Sequence, residues 1–395
     1  MIYDFETLVS RKNTGSGKWD EMTKEHPNLP ENVAPLSVAD MELKNPPEIV
    51  EGLKKYIDTH ILGYTGPTEE YFDAVCGWMK RRNDWNIKKE EIVSTHGVVT
   101  VLAVSVLAYT DPGDGVITMP PVYYPFRMTI EHNNRKNVEC PLINTNETYT
   151  IDFDLFEKLC AEEKNKMFIF CNPHNPVGRV WTEDEIAKLG AICAKHNVIV
   201  VSDEIHSDLI FHGKKHIPTA TLSPEIAANV ITGISGTKTF NLAGLQASTV
   251  VFPNDHMKQV FDRFWMNMDI HRNNAFSLTA MEAAFNHGEE WLEQLLEYIS
   301  GNLDYIKEYF DTRIPLIRAN IPDATYLVWL DCRKLNMTDQ ELKEFMIRKA
   351  GLGLNPGSDF TRAMSGFMRL NAACPRATLE KALGQLERAV NELAH

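Results

Sequence analysis

The chain has 395 residues, 44% of them hydrophobic, which is enough to bury the core of a globular protein with one large domain or two smaller ones. Its 40 Lys and Arg residues stand against 54 Asp and Glu residues, and the net charge of -14 opposes direct binding to nucleic acid or to an anionic membrane. Seven dispersed cysteines without a C-x-x-C pair favour reduced thiols over disulfides or structural zinc, so we expect a cytoplasmic protein.

The N-terminal segment is charged throughout and lacks the apolar stretch of a secretory signal. The longest nearly uncharged run, residues 97–110, is too short to cross a bilayer as a helix. We predict that it forms a buried helix and that the protein does not bind membranes.

Short β-rich apolar runs recur along the chain, and several are separated by segments with helical periodicity. They lie at residues 92–95, 116–119, 167–171, 198–202, 230–234 and 249–252. Alternation of this kind predicts an α/β fold with a mostly parallel sheet and helices on both faces. We assign it to a large domain at residues 49–288.

The character of the sequence changes after about residue 290 to long amphipathic helices, a strand at 324–331 and a final helix from about Arg376. Two capping boxes, Thr182 with Glu185 and Thr338 with Glu341, predict helix starts. We predict a smaller α+β domain that combines residues 1–48 with residues 289–395.

Chemically useful side chains follow four of the predicted strands. Because ligands bind at the carboxyl ends of the strands in such sheets, these residues are expected to line one pocket. They are Tyr123 and Tyr124 after one strand, residues 172–178 after the next, Asp203 and His206 after a third, and Ser235 to Lys238 after a fourth.

Lys238 and Asp203 indicate the chemistry of this pocket. A lysine directly after a buried strand is partly desolvated, which lowers the pKa of its amine and suits it to Schiff-base formation, although a lone lysine usually reaches solvent. A metal at Asp203 is disfavoured because Glu204, as its neighbour on an extended segment, points to the opposite face. A protonated pyridine nitrogen is the better partner for this carboxylate, which predicts a pyridoxal-type cofactor.

Seven motifs in order resemble those of pyridoxal-phosphate enzymes with the aspartate aminotransferase fold, fold type I. Within that fold, the chain is similar to the cystathionine β-lyase or cysteine-S-conjugate β-lyase group. The motifs are "PLSVADM", "GYTGPTEEY", "PPVYYPF", "NPHNPVGRVW", "SDEIHSDL", "SGTKTFNLAGLQ" and "FMRLNAACP", and they extend over essentially the whole length.

The resemblance implies roles around the cofactor ring. Lys238 would bind pyridoxal 5'-phosphate covalently, Asp203 would pair with its ring nitrogen, and Tyr123 would lie over the ring. Asn175 would hydrogen-bond the phenolic oxygen. His206 would lie near the same oxygen, or would be a core histidine satisfied by the backbone.

The resemblance also implies a phosphate site and a shared active site. Backbone amides at a helix start and two hydroxyl groups would bind the phosphate, and these belong to Gly97, Val98, Val99, Ser235 and Thr237. Tyr64 would reach the phosphate of the neighbouring subunit in a homodimer, or would be an interface or turn aromatic. Many aminotransferases of this fold have an arginine where this chain has Gln246, and the lyase group generally lacks it.

On the substrate side, Arg369 matches the arginine that binds the substrate α-carboxylate, and it counts with Lys238, Tyr123 and Asp203 as a predicted catalytic residue. Ala39, Tyr124 and Asn175 complete the predicted substrate site.

The resemblance predicts a lyase that eliminates the sulfur substituent of L-cystathionine, L-cysteine or S-substituted cysteines and forms thiol, pyruvate and ammonia. Residue chemistry alone predicts a pyridoxal-phosphate enzyme acting on an α-amino acid, so an aminotransferase stays an alternative. A lyase with an added regulatory protein partner is another.

Overall fold

A computed structural model describes residues 3–146 and 148–393 of the chain. Residues 1, 2, 394 and 395, which belong to the predicted small domain, lie outside the described residues, as does residue 147 of the predicted large domain.

The described residues form 13 α-helices, which are α1 (Gly17–Glu25), α2 (Pro47–Thr59), α3 (Glu69–Asn83), α4 (Val98–Tyr109), α5 (Pro125–His132), α6 (Phe153–Cys160), α7 (Glu183–Lys195), α8 (Pro224–Ala227), α9 (Asp255–Asn267), α10 (Ala275–His287), α11 (Glu289–Arg313), α12 (Asp339–Glu344) and α13 (Arg376–Glu392).

The strands in the same part of the chain are β1 (Ala34–Pro35), β2 (Ile92–Thr95), β3 (Gly115–Thr118), β4 (Lys136–Glu139), β5 (Ile143–Asn144), β6 (Tyr149–Thr150), β7 (Asn165–Cys171), β8 (Ile199–Asp203), β9 (Val230–Ile234), β10 (Ser248–Val251), β11 (Arg318–Asn320), β12 (Leu327–Asp331), β13 (Leu352–Gly353), β14 (Asn355–Pro356) and β15 (Phe367–Asn371).

A seven-stranded sheet in the order β2-β10-β9-β8-β7-β3-β4 organises the large part of the molecule. Strand β10 runs antiparallel to both of its neighbours, whereas the pairs from β9 through β4 are parallel. The predicted mostly parallel α/β sheet is therefore confirmed. Strand β4, which the sequence reading missed, is an edge strand of sequence KNVE with exposed ends, so it lacks the apolar run that marks buried strands.

Local sequence signals explain several element boundaries. The side chain of Thr182 accepts a hydrogen bond from the amide of Glu185 at the start of α7, and Thr338 does the same for Glu341 at α12, so both capping boxes are confirmed. The apolar run at 97–110 forms the buried helix α4, as predicted. Among the helices that the structure describes, none is long and apolar enough to cross a membrane.

A second sheet in the order β11-β12-β15-β14 forms the C-terminal part of the molecule. Its strand β12 begins at Leu327, three residues after the predicted start at 324, while α13 begins at Arg376 as predicted. The N-terminal segment packs here as well, because β1 pairs in parallel with β13. The division into domains at 1–48, 49–288 and 289–395 stays a prediction.

Candidate active site

A cavity of about 370 Å³ opens at the carboxyl ends of β7, β8 and β9. The structure brings together twelve of the predicted site residues in its wall, namely Ala39, Gly97, Val98, Val99, Tyr123, Tyr124, Asn175, Asp203, His206, Thr237, Lys238 and Arg369. The expectation of one pocket at the strand ends is met, because parallel strands deliver their C-terminal residues to the same sheet edge.

Lys238 lies four residues beyond β9 with its side chain in the cavity wall. Its Nζ donates a hydrogen bond to the carbonyl oxygen of Ala39 at 2.6 Å, and the Tyr326 hydroxyl donates to the same oxygen at 3.0 Å. Burial lowers the pKa of the Lys238 amine to about 8, although the nearby Asp40 opposes that shift. An amine with this pKa is available both as a nucleophile and as a proton carrier near neutral pH.

Asp203 is the last residue of β8 and is 4% exposed. Its Oδ1 accepts a hydrogen bond from the amide of Ile205 at 3.1 Å. Burial raises the pKa of the carboxyl group to about 7, against the opposing effects of this hydrogen bond and of Lys238. A buried carboxylate with so little compensation favours a cation beside it.

Glu204 points away from the cavity, as expected for the next residue on an extended segment. Its Oε2 lies 2.9 Å from His216 Nε2, and its Oε1 accepts a hydrogen bond from the amide of Thr219 at 2.9 Å. In the described portion of the chain there is no group of three or more side chains arranged to bind a metal ion.

His206 is 3% exposed and packs edge-on against the ring of Tyr326, with the ring centroids 6.4 Å apart. Burial, reinforced by the positive charges of Lys238 and Arg369, lowers the pKa of the imidazole to about 3, so the ring is neutral. Its buried Nδ1 has no hydrogen-bond partner within the described residues, so the structure does not show a backbone group that satisfies this nitrogen.

Arg369 lies on β15 and is 3% exposed. Its Nη1 donates to Asn175 Oδ1 at 3.0 Å, its Nη2 donates to Asn355 Oδ1 at 2.7 Å, and the guanidinium stacks 5.0 Å from the ring centre of Phe360. Burial lowers the pKa of this guanidinium to about 10. Both of these hydrogen-bond acceptors are neutral amide oxygens, so the guanidinium can still accept a carboxylate from a ligand.

Tyr123 and Tyr124 line the cavity, and the charges of Arg369 and Asp203 both act on Tyr123. Their ring centroids are 5.5 Å apart, and Tyr124 also meets the ring of Phe360 edge-on at 6.1 Å. Burial raises the pKa of the Tyr123 hydroxyl to about 12, so this side chain is neutral. A flat neutral ring is suited to stack on an aromatic ligand.

The cavity wall also contains hydrogen-bond donors. Gly97 caps α4 with φ +92°, a left-handed conformation that glycine adopts without strain, and it turns the first amides of the helix into the cavity wall. Thr237 lies beside them. Ser235 does not line the cavity but sits behind Thr237, where its Oγ lies 2.8 Å from Thr237 Oγ1 and donates to the carbonyl of Ala247 at 2.7 Å.

Tyr64 lies outside the cavity of its own chain. Its side chain is 96% exposed on the loop between α2 and α3, together with Ile61 and Leu62, which are 91% and 64% exposed. Its ring centre is 5.8 Å from the Arg272 guanidinium carbon.

Several cavity residues were missed by the sequence reading, and Asn355 is the most instructive. Its Oδ1 accepts hydrogen bonds from both the amide of Val38 and Arg369 Nη2. Its position is set by the pairing of β14 with β15, which places Asn355 opposite Arg369. No local feature of the sequence predicts that pairing. His96, which also lines the cavity, could have been found because it directly precedes the predicted amide site at Gly97.

These residues fit pyridoxal 5'-phosphate. The buried carboxylate of Asp203 accepts its hydrogen bond from a backbone amide and not from a cationic side chain, so it suits a protonated ring nitrogen. The amine of Lys238 in the same cavity suits a covalent link to an aldehyde. The helix-start amides and the Thr237 hydroxyl are suited to a phosphate group.

Comparisons with known proteins agree with this fit. Residues 31–386 match the aminotransferase class I and II family. The chain is 41% identical to cystathionine beta-lyase PatB of Bacillus subtilis (strain 168) over 388 residues, which cover 98% of this chain and 100% of that protein.

Two solved structures are similar over nearly the whole chain. Cystalysin from Treponema denticola, which contains a pyridoxal 5'-phosphate cofactor, is 42% identical with a TM-score of 0.98 and 100% coverage of both chains. The PLP-bound C-S lyase from Staphylococcus hominis is 32% identical with a TM-score of 0.90 and 99% coverage of both. The chain therefore has fold type I and belongs to the aminotransferase class I and II family.

Proposed function

We propose that the chain is a pyridoxal 5'-phosphate-dependent carbon–sulfur β-lyase. Its substrates are L-cystathionine, L-cysteine or S-substituted cysteines, and its products are a thiol, pyruvate and ammonia. The proposal rests mainly on one observation: the same cavity contains the low-pKa amine of Lys238, the buried carboxylate of Asp203 and the buried guanidinium of Arg369. The relatives named cystathionine beta-lyase and C-S lyase support the choice of reaction.

The cofactor would be held by residues at or after the ends of four strands, β2, β3, β8 and β9. Lys238 would bind it covalently, Asp203 would hold a positive charge on its ring nitrogen, and Tyr123 would cover its ring. Thr237 and the first amides of α4, from Gly97 onward, would bind its phosphate. When bound, the cofactor supplies an electron-accepting ring that stabilises negative charge at the substrate Cα.

Arg369 binds the α-carboxylate of the substrate. Two parallel hydrogen bonds from a planar guanidinium fit a carboxylate. Asn175 and Asn355 accept hydrogen bonds from the two terminal nitrogens, so the guanidinium plane is fixed before the substrate arrives. A fixed donor pair loses less conformational entropy on binding than a mobile one.

The Lys238 amine carries the protons. With a pKa of about 8, it can accept the proton from Cα and deliver a proton to the departing sulfur in the same pH range. The hydrogen bond to the Ala39 carbonyl orients the amine towards the cavity. Overall, the Cα–H and Cβ–S bonds break, the sulfur leaves as a thiol, and water completes the conversion of the remaining carbon skeleton to pyruvate and ammonia.

We further propose that the enzyme is a cytoplasmic homodimer in which Tyr64 completes the phosphate site of the partner subunit. The full exposure of this side chain, on a loop with the exposed Ile61 and Leu62, supports this arrangement. The seven free cysteines agree with a reducing compartment.

Mixed dimers test the shared site. Tyr64→Ala and Lys238→Ala subunits are each expected to be weak or inactive as homodimers. After mixing and subunit exchange, one of the two sites in a mixed dimer would have both native residues, so activity should reappear. Mixed dimers that form but stay as inactive as the parents would contradict the role of Tyr64.

An assay of the products tests the reaction. The purified protein is incubated with L-cystathionine, and pyruvate, ammonia and thiol are measured together. Equal amounts of the three are expected for elimination. Keto acid formed in proportion to an added amino-group acceptor, without ammonia, would instead identify an aminotransferase.

A further inference from the structure

Residues 38–42, which we call the N-terminal strap, begin in the cavity wall with Val38 and Ala39, and the backbone is unusual at the first of them. Val38 has φ +50°, a left-handed value that is rare for a β-branched residue and costs conformational energy. Side chains hold it there, since the Val38 amide donates to Asn355 Oδ1 at 2.8 Å and Asn371 Nδ2 donates to the Val38 carbonyl at 2.8 Å. The strap is therefore shaped by its surroundings.

The strained turn places the next carbonyl against the reactive amine. The Ala39 oxygen accepts from Lys238 Nζ at 2.6 Å and from the Tyr326 hydroxyl at 3.0 Å. On its other side, the strap is tied to the segment that carries Lys238, because Asn241 Oδ1 accepts from the Met41 amide at 2.9 Å. Any shift of the strap would move the acceptor that orients Lys238.

A partly buried network of four charged side chains anchors the strap. Lys18 on α1 has a fully buried side chain, and its Nζ lies 2.9 Å from Asp40 Oδ1 and 3.0 Å from Glu42 Oε1. Arg11 contacts the same two carboxylates at 2.7 Å and 3.0 Å, and its side chain is 30% exposed. Asp40 and Glu42 both belong to the strap, so two cations bind one short segment.

Anchoring alone does not require charges. Burying ions is costly, and apolar residues of similar volume often hold a segment at least as well as a buried ion pair does. The network also lies directly beside Ala39, and the charges of Asp40 and Lys18 both act on the Lys238 amine, in opposite directions. These charges are therefore placed where they can influence the chemistry.

We propose that Lys18 and Asp40 are positioning residues that set the orientation and the charge state of the Lys238 nitrogen through the strap. The inference rests on the proposed function, because it takes Lys238 as the reactive amine. Neither residue lines the cavity wall, so both act through the strap rather than on the substrate.

Several other charged or titratable groups face Lys238, and the experiment must leave them unchanged. Asp203 favours the protonated amine and Arg369 disfavours it, while the neutral His206 is itself influenced by Lys238. The variants below alter none of these three side chains.

Substitution of the two network residues should shift the pH dependence in opposite directions. The quantity compared is the pH midpoint at which the Lys238 nitrogen loses its proton. In Lys18→Met, Asp40 loses a compensating cation and stabilises positive charge on this nitrogen more strongly, so the midpoint rises. In Asp40→Asn, that stabilisation is lost and the midpoint falls. We expect shifts of about one pH unit each, as for a charge at close range. They are measured in the visible absorption of the cofactor-loaded enzyme and in the pH profile of kcat.

A matched control removes a different ion pair of helix α1, through a lysine on α12. Lys343→Met removes the ion pair with Glu25 of α1, at 2.8 Å, without touching the strap, and should leave the midpoint unchanged. If Lys18→Met does not fold, Arg11→Gln replaces it, because it removes the more exposed cation of the network. Its midpoint should move in the same upward direction by a smaller amount.

Shifts of opposite sign support the proposal. Midpoints that stay at the wild-type value, or that move in the same direction in the Lys18→Met and Asp40→Asn variants while the melting temperature falls, would overturn it and leave the network a structural anchor. Failure of the proposed function is recognised separately, since the wild-type protein would then lack the visible band or produce no pyruvate.

Discussion

At the end of β8, two consecutive acidic residues point to opposite sides, and the two carboxylates differ in how well neighbouring groups compensate their charge. On the core side, Glu204 has His216 and the Thr219 amide as partners, each at 2.9 Å. On the cavity side, the equally buried Asp203 accepts a 3.1 Å hydrogen bond from Ile205, and burial raises its pKa to about 7. Two consecutive carboxylates are thus buried, and the one that faces the cavity is the poorly compensated one.

The cations show the same contrast. Lys18 is buried against two carboxylates of the strap, whereas Arg369 is buried against the amide oxygens of Asn175 and Asn355. Burying an uncompensated charge destabilises a protein unless a ligand completes the pairing. Poorly compensated buried charges therefore identify the ligand-binding side of this molecule.

The largest loss of activity is expected when the amine of Lys238 is removed from the cavity. Lys238→Ala should reduce elimination by at least about 1,000-fold, because both the covalent link and the proton carrier are removed. Pyruvate release from L-cystathionine measures the effect. Near-normal turnover in a cofactor-loaded Lys238→Ala preparation would refute the assignment.

Asp203→Asn tests whether the poorly compensated carboxylate serves the ring nitrogen. The amide keeps the size of the side chain but lacks the charge, so kcat should fall by roughly 100-fold to 1,000-fold. Cofactor content, measured by absorbance after gel filtration, should fall much less. Loss of the cofactor in proportion to the loss of activity would reduce Asp203 to a binding residue.

Arg369→Lys keeps the positive charge but removes the planar pair of donors. We expect kcat/KM for carboxylate-bearing substrates to fall by roughly 10-fold to 100-fold, with most of the change in KM. Arg369→Ala should cost more. Kinetics identical to those of the wild type would remove Arg369 from the substrate site.

Glu204→Gln changes the carboxylate on the core side, where we expect a loss of stability and not a loss of activity. Weaker hydrogen bonds at this buried position should lower the free energy of unfolding by about 1–3 kcal/mol. Denaturant unfolding measures this, and kcat per folded, loaded molecule should stay within about twofold of the wild type. A loss of activity as large as that of Asp203→Asn would erase the distinction between the two sides.

Much of this site is predictable because its residues follow strands that are themselves recognisable. The runs before Asn175, Asp203 and Lys238 are apolar and buried, and the parallel sheet brings their ends together. Gly97 is predictable for a different reason, since it begins a strongly apolar helix.

The rest of the site depends on long-range pairing. Asn355 is opposite Arg369 because β14 pairs with β15, and the Ala39 carbonyl meets Lys238 because the strap folds back across almost 200 residues of sequence. Strand β4 was missed because an exposed edge strand needs no apolar run. Short segments whose conformation is imposed by distant partners carry little local signal.

The central claim is that Lys238 carries the cofactor, and borohydride reduction followed by peptide mass spectrometry tests it most directly. The purified protein should absorb visible light, lose that absorption on reduction, and yield a peptide in which Lys238 bears the reduced pyridoxyl phosphate group. A protein that stays colourless after incubation with excess pyridoxal 5'-phosphate, or a modification found on a different lysine, would contradict the account.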